Sequence, residues 1–446
     1  MILSRALNRV SRDPIRRTMR LSLIEGGLTQ AFLNWTTGSV LVGYMLHYGA
    51  TPTQLGLVAS VPLLAQASSP FAAWLASYAP RLKILSILLA LLGRGLWLLA
   101  ALLPLFNLPG SMQVPFLVGL VAVSSFFQAA LASFWTSWMG DVVPVEKRGR
   151  YFGFRAGLVG LVGMSANLGA GWFLDRVTAP FNFQIVMAVA VVLAVAGVAL
   201  LPFHFEPRLA KPKHGLLETL RIPWQDANFR KFLVFGVYWQ AAVLLAAPFV
   251  IPYFLDFLKM SFTEIALWSA VAATSGLATT SLWGRLADRY GNKSVLQIGT
   301  FLAGSLLPLS WLLATPENRW PVYIGGLFDA MAWGAIGPAM FNLVLASAPK
   351  SDRLPYVAMF SLVTGVAGFL GGLLSGPLLG LFGLTTFTVA GFQWTAYHSL
   401  FVLSGLLRTQ AWRFVRPVAE SKAWRTRDVL RQVKVNWRGA GFFWRS

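Results

Sequence analysis

The sequence contains no cysteine and only four histidines. Without cysteine the chain has no disulfide, no thiolate nucleophile and no cysteine-based metal site. The histidines are scattered and form no pair with metal-ligand spacing: His47, His204, His214 and His398. The chain also lacks a Gly-x4-Gly-Lys-Ser/Thr phosphate loop, which excludes ATP binding of that kind. We therefore predict a protein that is not an enzyme and needs no cofactor.

Charged residues are also scarce. They make up 12% of the 446 residues, against 56% hydrophobic residues, and the mean hydropathy is +0.62. In soluble globular proteins about a quarter of the residues are charged. A membrane-spanning helix needs about twenty apolar residues, so the chain has room for a dozen. We predict an all-α polytopic membrane protein with twelve transmembrane helices near residues 20–46, 54–77, 83–105, 114–140, 152–174, 182–202, 231–254, 262–283, 295–314, 320–345, 356–381 and 391–410.

The charge that is present is strongly basic, with a net value of +21. In a soluble protein this would indicate nucleic-acid binding, but here the cations gather before the first span and on alternate loops. Loops 47–54, 106–113 and 382–391 carry no lysine or arginine. An excess of these residues on alternate short loops marks the cytoplasmic side. We predict a plasma (inner) membrane protein with both termini in the cytoplasm, contacts to membrane lipids and no nucleic-acid partner. The N-terminal arginines are then a flank of the first span, with a transit peptide as the alternative.

A short motif separates the eighth and ninth predicted spans. It reads Gly284-Arg-Leu-Ala-Asp288-Arg289-Tyr-Gly291-Asn-Lys293 and resembles the cytoplasmic loop signature of the major facilitator superfamily of secondary transporters. The resemblance implies that the acid contacts the N-terminus of a neighbouring helix, where partial positive charge favours a carboxylate. It also implies an inner gate, which comprises Gly284, Asp288, Arg289, Gly291, Lys293, Arg148 and Arg353. The alternative is a basic hairpin that only anchors the topology.

The two halves of the chain echo each other. When the second half is aligned with the first at one constant shift, three residues coincide: Pro144 with Pro349, Arg148 with Arg353, and Tyr151 with Tyr356. Two six-helix pseudo-repeats in parallel are the architecture that the resemblance implies. We predict an N-terminal half at 1–202, a cytoplasmic linker at 203–228, a C-terminal half at 229–410 and a basic cytoplasmic tail at 411–446.

The first-half copy of the motif departs from the signature. Ser77 stands in place of the acid and Pro80 in place of the second glycine. A serine cannot make the charged contact that Asp288 can make. We therefore expect the better-built inner latch in the second half.

Glycine rows mark the fifth and eleventh spans. In the eleventh, Gly368, Gly372, Gly376 and Gly380 recur every fourth residue. Such rows let helix backbones approach closely in lipid. The resemblance implies that these two spans pack against the eighth and the second. Pro248 and Pro252 interrupt the seventh span and predict a bend in it.

Three ionisable residues lie at predicted membrane depth: Glu25, Arg94 and Asp329. Burying such groups is costly, so they face a cavity or a partner. Glu25 and Arg94 lie on neighbouring spans and are predicted to pair, either as a structural staple or in a proton or substrate role. Asp329 has no evident partner in the sequence. We expect it to couple protons or to bind polar groups of the substrate.

The resemblance implies a central cavity lined by the first, fourth, seventh and tenth spans. Their polar and aromatic residues form the predicted substrate site: Gln30, Asn34, Gln128, Tyr238, Trp239, Gln240, Asp329 and Trp333. Each amide has the alternative of a hydrogen bond between helices. Amides, indole rings and one acid favour a neutral or cationic organic solute.

Together these features predict a secondary transporter, working as a symporter or antiporter. It moves a small organic solute by alternating access, driven by protons or another coupling ion, and acts as a monomer. Two alternatives are a lipid or lipid-linked flippase on the same fold and a non-transporting membrane assembly factor or receptor.

Overall fold

A computed structural model describes residues 13–76, 81–144, 147–206, 215–349, 353–383, 386–389, 392–420 and 424. Helices occupy all twelve predicted span positions. Ser77 and Pro80 of the first-half motif lie outside the described residues, and so does the basic tail beyond Trp424.

The first six spans are broken into segments in several places. They comprise Pro14–Thr37 with Ser39–His47, Pro52–Ala67 with Ser69–Ala76, Leu82–Gly95 with Trp97–Ala101 and the 3-10 turn Leu103–Phe106, Gly110–Val142, Arg148–Leu174, and Phe181–Val198 with the 3-10 turn Leu201–Phe203. A short helix, Leu216–Gln225, follows in the linker.

The last six spans include several long helices. They comprise Ala227–Leu244 with the short turns Ala247–Phe249, Val250–Pro252 and Tyr253–Phe257, then Phe262–Tyr290, Asn292–Leu312, Trp320–Ser347, Arg353–Phe382, and Ala396–Gln410 with Trp412–Val415. A two-stranded antiparallel hairpin, Phe387–Val389 and Phe392–Trp394, precedes the twelfth span.

Ten helical stretches among the described residues are long and apolar enough to cross a membrane. The first and twelfth spans are not among them. The first carries Arg16, Arg17, Arg20 and Glu25 in its initial turns, which lowers its hydropathy. The twelfth helix, Ala396–Gln410, has only 15 residues.

Side-chain caps determine where several spans begin. The Asp13 carboxylate accepts a hydrogen bond from the backbone N–H of Ile15 at 3.0 Å. Thr51 and Gln54 form a capping box at the second span. These contacts satisfy N–H groups that the first helical turn leaves unpaired.

The seventh span is irregular where the sequence places its two prolines. Its regular helix ends at Leu244 and continues as a 3-10 turn, a short α turn and a π turn. Pro248 and Pro252 lie inside this irregular part. Each proline removes a backbone donor and clashes with the preceding turn, which prevents a continuous α-helix.

The motif at 284–293 is not the loop that the sequence indicated. The eighth span remains helical to Tyr290 and the ninth begins at Asn292. Arginine, leucine and alanine are good helix formers, so the motif extends the helix. The turn is made by Gly291 alone, whose φ of +92° suits glycine.

The chain forms two compact units. Within the described residues, unit 1 consists of the chain up to Leu216 together with Pro248–Leu267 and Gly372–Pro377. Unit 2 consists of Leu217–Ala247, Trp268–Gly371 and the chain from Leu378.

Glycines bring backbones together in unit 1. A Cβ atom built at Gly56 would lie 2.5 Å from the carbonyl oxygen of Gly372, and one at Gly376 would lie 2.6 Å from the backbone nitrogen of Thr53. The second span and segment Gly372–Pro377 therefore touch backbone to backbone, as the glycine row of the eleventh span predicts. In unit 2, the ninth span packs against the tenth and twelfth.

Candidate functional site

A cluster of charged side chains lines a pocket of about 240 Å³ in unit 1. Glu25 Oε1 lies 3.5 Å from Arg94 Nη2, which confirms the predicted pair. Glu25 Oε2 lies 3.8 Å from Nη2 of Arg155, a third member on the fifth span. The exposed fractions of the Glu25, Arg94 and Arg155 side chains are 5%, 4% and 18%. We call these three residues the charge cluster.

Small and polar neighbours hold the charge cluster in place. A Cβ atom at Gly26 would lie 2.9 Å from the guanidinium carbon of Arg155, so glycine makes the room for that side chain. Thr29 donates its hydroxyl to Glu25 Oε1 at 2.8 Å. Arg155 Nε points to the carbonyl oxygen of Ser22 at 3.3 Å, and its guanidinium lies 4.1 Å from the centre of a Trp135 ring.

Several hydrogen-bond donors at this pocket are buried and unpaired. In the part of the chain that the structure describes, no partner exists for Arg94 Nε and Nη1, Gln128 Nε2 or Trp135 Nε1. All three residues line the pocket. Buried donors without acceptors are rare because each costs free energy. The wall of the pocket thus holds buried N–H groups that lack acceptors.

The two predicted amides of the first span have different surroundings. Gln30 lines the pocket. Its side-chain amide donates to Asn34 Oδ1 at 2.8 Å, and Asn34 Nδ2 donates to the carbonyl oxygen of Gly163 at 3.0 Å. Asn34 therefore joins the first and fifth spans, which is the alternative role named for these amides.

A second pocket, of about 290 Å³, lies in unit 2. Trp239, Gln240 and Trp333 from the predicted set line it, and the two indole rings meet edge to face with centres 5.9 Å apart. The remaining walls are mostly apolar: Ile336, Gly337, Met340, Phe341, Val344, Val357, Phe360, Ser361 and Thr364.

Tyr238 and Asp329 are not among the residues that line either pocket. The Tyr238 hydroxyl donates to the carbonyl oxygen of Leu407 at 2.8 Å, and its ring stacks on Phe414 at 4.1 Å. Asp329 is half-buried beside Trp333 and interacts electrostatically with the guanidinium of Arg408.

Arg408 is a buried cation on the twelfth span that acts electrostatically on Asp329, and the sequence did not reveal it. It is buried, with 2% of its surface exposed, and its Nη2 donates to the carbonyl oxygen of Val243 at 3.2 Å. In the sequence, Arg408 lies two residues before the predicted end of the twelfth span, where an arginine usually flanks the span and faces water.

The predicted gate residues lie at helix ends. Gly284, Asp288 and Arg289 are exposed on the last two turns of the eighth span. Arg148 and Arg353, both exposed, are the first residues of the fifth and eleventh spans. Arg148 Nε donates to the carbonyl oxygen of Val143 at 3.1 Å. Considering only described residues, Asp288 has no hydrogen bond or ion pair.

Other acids contact helix N-termini. Glu420 accepts hydrogen bonds from the backbone N–H groups of Asn292 and Lys293 at the start of the ninth span. Asp175 accepts from those of Phe262 and Thr263, at 2.8 and 2.9 Å, where the eighth span begins. Nothing in the sequence motifs pointed to either contact.

Lys293 also faces the tail. Its Nζ donates to the carbonyl oxygens of Arg416 and Val418, both at 2.7 Å. Trp424 continues this contact, because its carbonyl oxygen accepts from the Ser294 hydroxyl at 2.6 Å. The motif lysine is thus engaged by the segment that follows the twelfth span.

Across the residues that are described, no group of three or more histidines, aspartates and glutamates is placed to hold a metal ion.

The family model for the Major Facilitator Superfamily matches residues 26–255 and again 232–445. The chain belongs to the major facilitator superfamily. The twelve-helix fold and the family that the motif at 284–293 implied are thereby confirmed, and the chain is an integral membrane protein.

Among superfamily members, this chain is similar to the multi-drug resistance efflux pump PmrA of Streptococcus pneumoniae, with 29% identity over 227 residues. That alignment covers 49% of this chain and 51% of the pump, so the chain spans about half the length of this relative.

Solved structures share the fold. The nucleoside transporter NupG superimposes with a TM-score of 0.69 and 14% identity, covering 90% of this chain and 100% of that one. A D-xylose–proton symporter gives 0.67 and 14%, covering 92% and 98%. At this level of identity the likeness concerns the fold alone.

Proposed function

We propose that this protein is a secondary active transporter that moves a small organic solute by alternating access and couples the movement to protons. The observation that carries the proposal is the charge cluster in the unit 1 pocket. Ionisable groups buried in a membrane protein are costly and mark substrate or ion pathways. The efflux pump, the nucleoside transporter and the D-xylose–proton symporter support a small organic solute as cargo.

We assign the coupling proton to Glu25. The sequence favoured Asp329, but Asp329 does not line the described pockets, whereas Glu25 lies between two guanidinium groups in one of them. The titratable and charged groups around Glu25 are Arg94, Arg155, Tyr151 and His204. Protonation of Glu25 would leave both arginines free for a solute, which links the proton to solute binding.

The unit 2 pocket is also suited to an organic solute. Its tryptophans and apolar side chains suit an apolar body, and Gln240 adds an amide. Ligand sites in proteins commonly combine apolar walls with a few placed polar groups. We propose that this pocket takes part in transport by a protein that works as a monomer, with both termini in the cytoplasm.

The experiment is uptake into proteoliposomes with and without an inward-directed proton gradient. Four labelled probes cover the charge classes: benzoate, D-xylose, uridine and ethidium. We expect the gradient to drive accumulation of at least one above the level in protein-free liposomes, which take up benzoate because neutral benzoic acid crosses the bilayer unaided. A protonophore should abolish this excess. Failure of all four, together with movement of a labelled phospholipid, would favour a flippase. Failure of all four without lipid movement would favour a receptor or assembly factor.

A further inference from the structure

We propose that the charge cluster binds an organic monoanion, whose carboxylate is held by Arg94 and Arg155 and whose apolar body lies along Trp135. This inference rests on the proposed function and names the substrate class of the same site. It replaces the neutral or cationic solute that the sequence favoured.

The charge cluster carries more positive than negative charge. One carboxylate, Glu25, faces two guanidinium groups, and all three side chains line one pocket. An isolated buried cation is strongly unfavourable unless an anion compensates it. An anion lowers this excess of positive charge, whereas a cation adds a third positive charge.

The polar atoms that lack a hydrogen-bond partner at this pocket are donors. Arg94 Nε and Nη1, Gln128 Nε2 and Trp135 Nε1 are all donors, and no described residue accepts from them. Arginine and the indole ring have no acceptor atom at all. A carboxylate that reaches these buried N–H groups would supply the acceptors that they lack.

The contacts of Glu25 with the two arginines are long. Its oxygens lie 3.5 Å and 3.8 Å from the two guanidinium nitrogens. Charge-assisted hydrogen bonds between arginine and carboxylate are usually about 2.7–2.9 Å long. The arginines thus keep donors available for a second carboxylate, and a planar guanidinium suits a bidentate contact with it.

The rest of the pocket suits an apolar ligand body. Beyond the charge cluster the walls of the pocket are largely apolar, with Leu33, Leu131, Val159 and Leu201 among them. Trp135 adds an aromatic face. A small acid with an apolar or aromatic body matches this lining better than a polyhydroxylated sugar does.

The arrangement also explains how solute and proton are coupled. The solute carboxylate and the Glu25 carboxylate compete for the same two guanidinium groups. A proton on Glu25 removes the competitor, so the proton and the anion favour each other's binding and travel in the same direction.

The test uses purified protein at neutral pH and three probes of matched shape: benzoate, benzamide and benzylamine. Binding is measured by calorimetry and by the shift in thermal unfolding. We expect benzoate to bind about tenfold or more tightly than benzamide, since it gains a charged contact, and benzylamine not to bind. Equal or tighter binding of benzylamine, or no binding of benzoate, overturns the proposal even if proton-driven transport of another solute is found.

Substitutions at Arg155 and Glu25 should change benzoate affinity in opposite directions, which separates a role in binding from a structural role. Arg155→Gln should abolish benzoate binding, and Arg155→Lys should restore it only partly. Glu25→Gln should strengthen benzoate binding, because the competing carboxylate is gone. Arg176→Gln, at an exposed arginine two residues after the end of the same span, is the matched control and should bind like wild type. Weaker benzoate binding by Glu25→Gln would contradict the proposal.

Discussion

The carboxylate of Glu420 caps the helix that begins at Asn292. It accepts hydrogen bonds from the backbone N–H groups of Asn292 and Lys293 at 3.0 and 2.8 Å, and from the Asn292 side chain at 3.1 Å. The first turn of a helix leaves such donors unpaired and carries partial positive charge. A residue beyond the last span thus supplies the contact of acid with helix N-terminus that the motif resemblance assigned to Asp288.

Loss of this cap should destabilise the ninth span. We expect Glu420→Ala to lower the free energy of unfolding by about 1 kcal/mol, the usual cost of losing a helix cap. The measurement is the thermal unfolding of the detergent-solubilised protein. Glu317→Ala, which removes an exposed acid from the loop before the tenth span, is the control. Equal unfolding temperatures for both variants would show that the cap contributes nothing.

The glycine row offers a second prediction with a matched pair. Gly376→Leu should block proton-driven uptake, because a side chain there meets the backbone of Thr53. Gly380→Leu should be tolerated, since no described atom lies within 4 Å of a Cβ built at that position. Uptake in proteoliposomes at matched protein content decides between them. If both variants transport alike, close backbone packing at Gly376 has no functional role.

The absence of native cysteine allows a clean test of orientation. Single cysteines replace Ser111 and Gly149, two exposed residues at the beginnings of the fourth and fifth spans. The distribution of lysine and arginine places Ser111 outside and Gly149 inside. A membrane-impermeant maleimide should label Ser111→Cys in intact cells and Gly149→Cys only after permeabilisation. The reverse pattern would contradict the proposed topology.

Much of the fold was predictable from the sequence, because the physical signals are strong there. Long apolar runs separated by basic loops locate the spans, and buried charges on neighbouring spans have to pair. Glu25 and Arg94 illustrate this, since each stands alone in an apolar run. Pro248 and Pro252 likewise predicted the irregular end of the seventh span.

The remaining site residues were missed for identifiable reasons. Arg155 follows shortly after the loop cations Arg148 and Arg150 and resembles a further loop cation in the sequence, although its side chain reaches Glu25. Arg408 and Glu420 lie at or beyond the end of the last span, where charges normally face water. Their roles depend on helix packing, which no local pattern encodes.

The central claim is that Glu25, beside Arg94 and Arg155, carries the coupling proton. The most direct measurement compares gradient-driven accumulation with counterflow exchange, for wild type, Glu25→Gln and Asp329→Asn, using the probe that wild type accumulates. Counterflow needs no change in charge, so Glu25→Gln should retain counterflow and lose accumulation, while Asp329→Asn retains both. If Glu25→Gln still concentrates the solute in response to the proton gradient, Glu25 is not the proton carrier and the proposed mechanism is wrong.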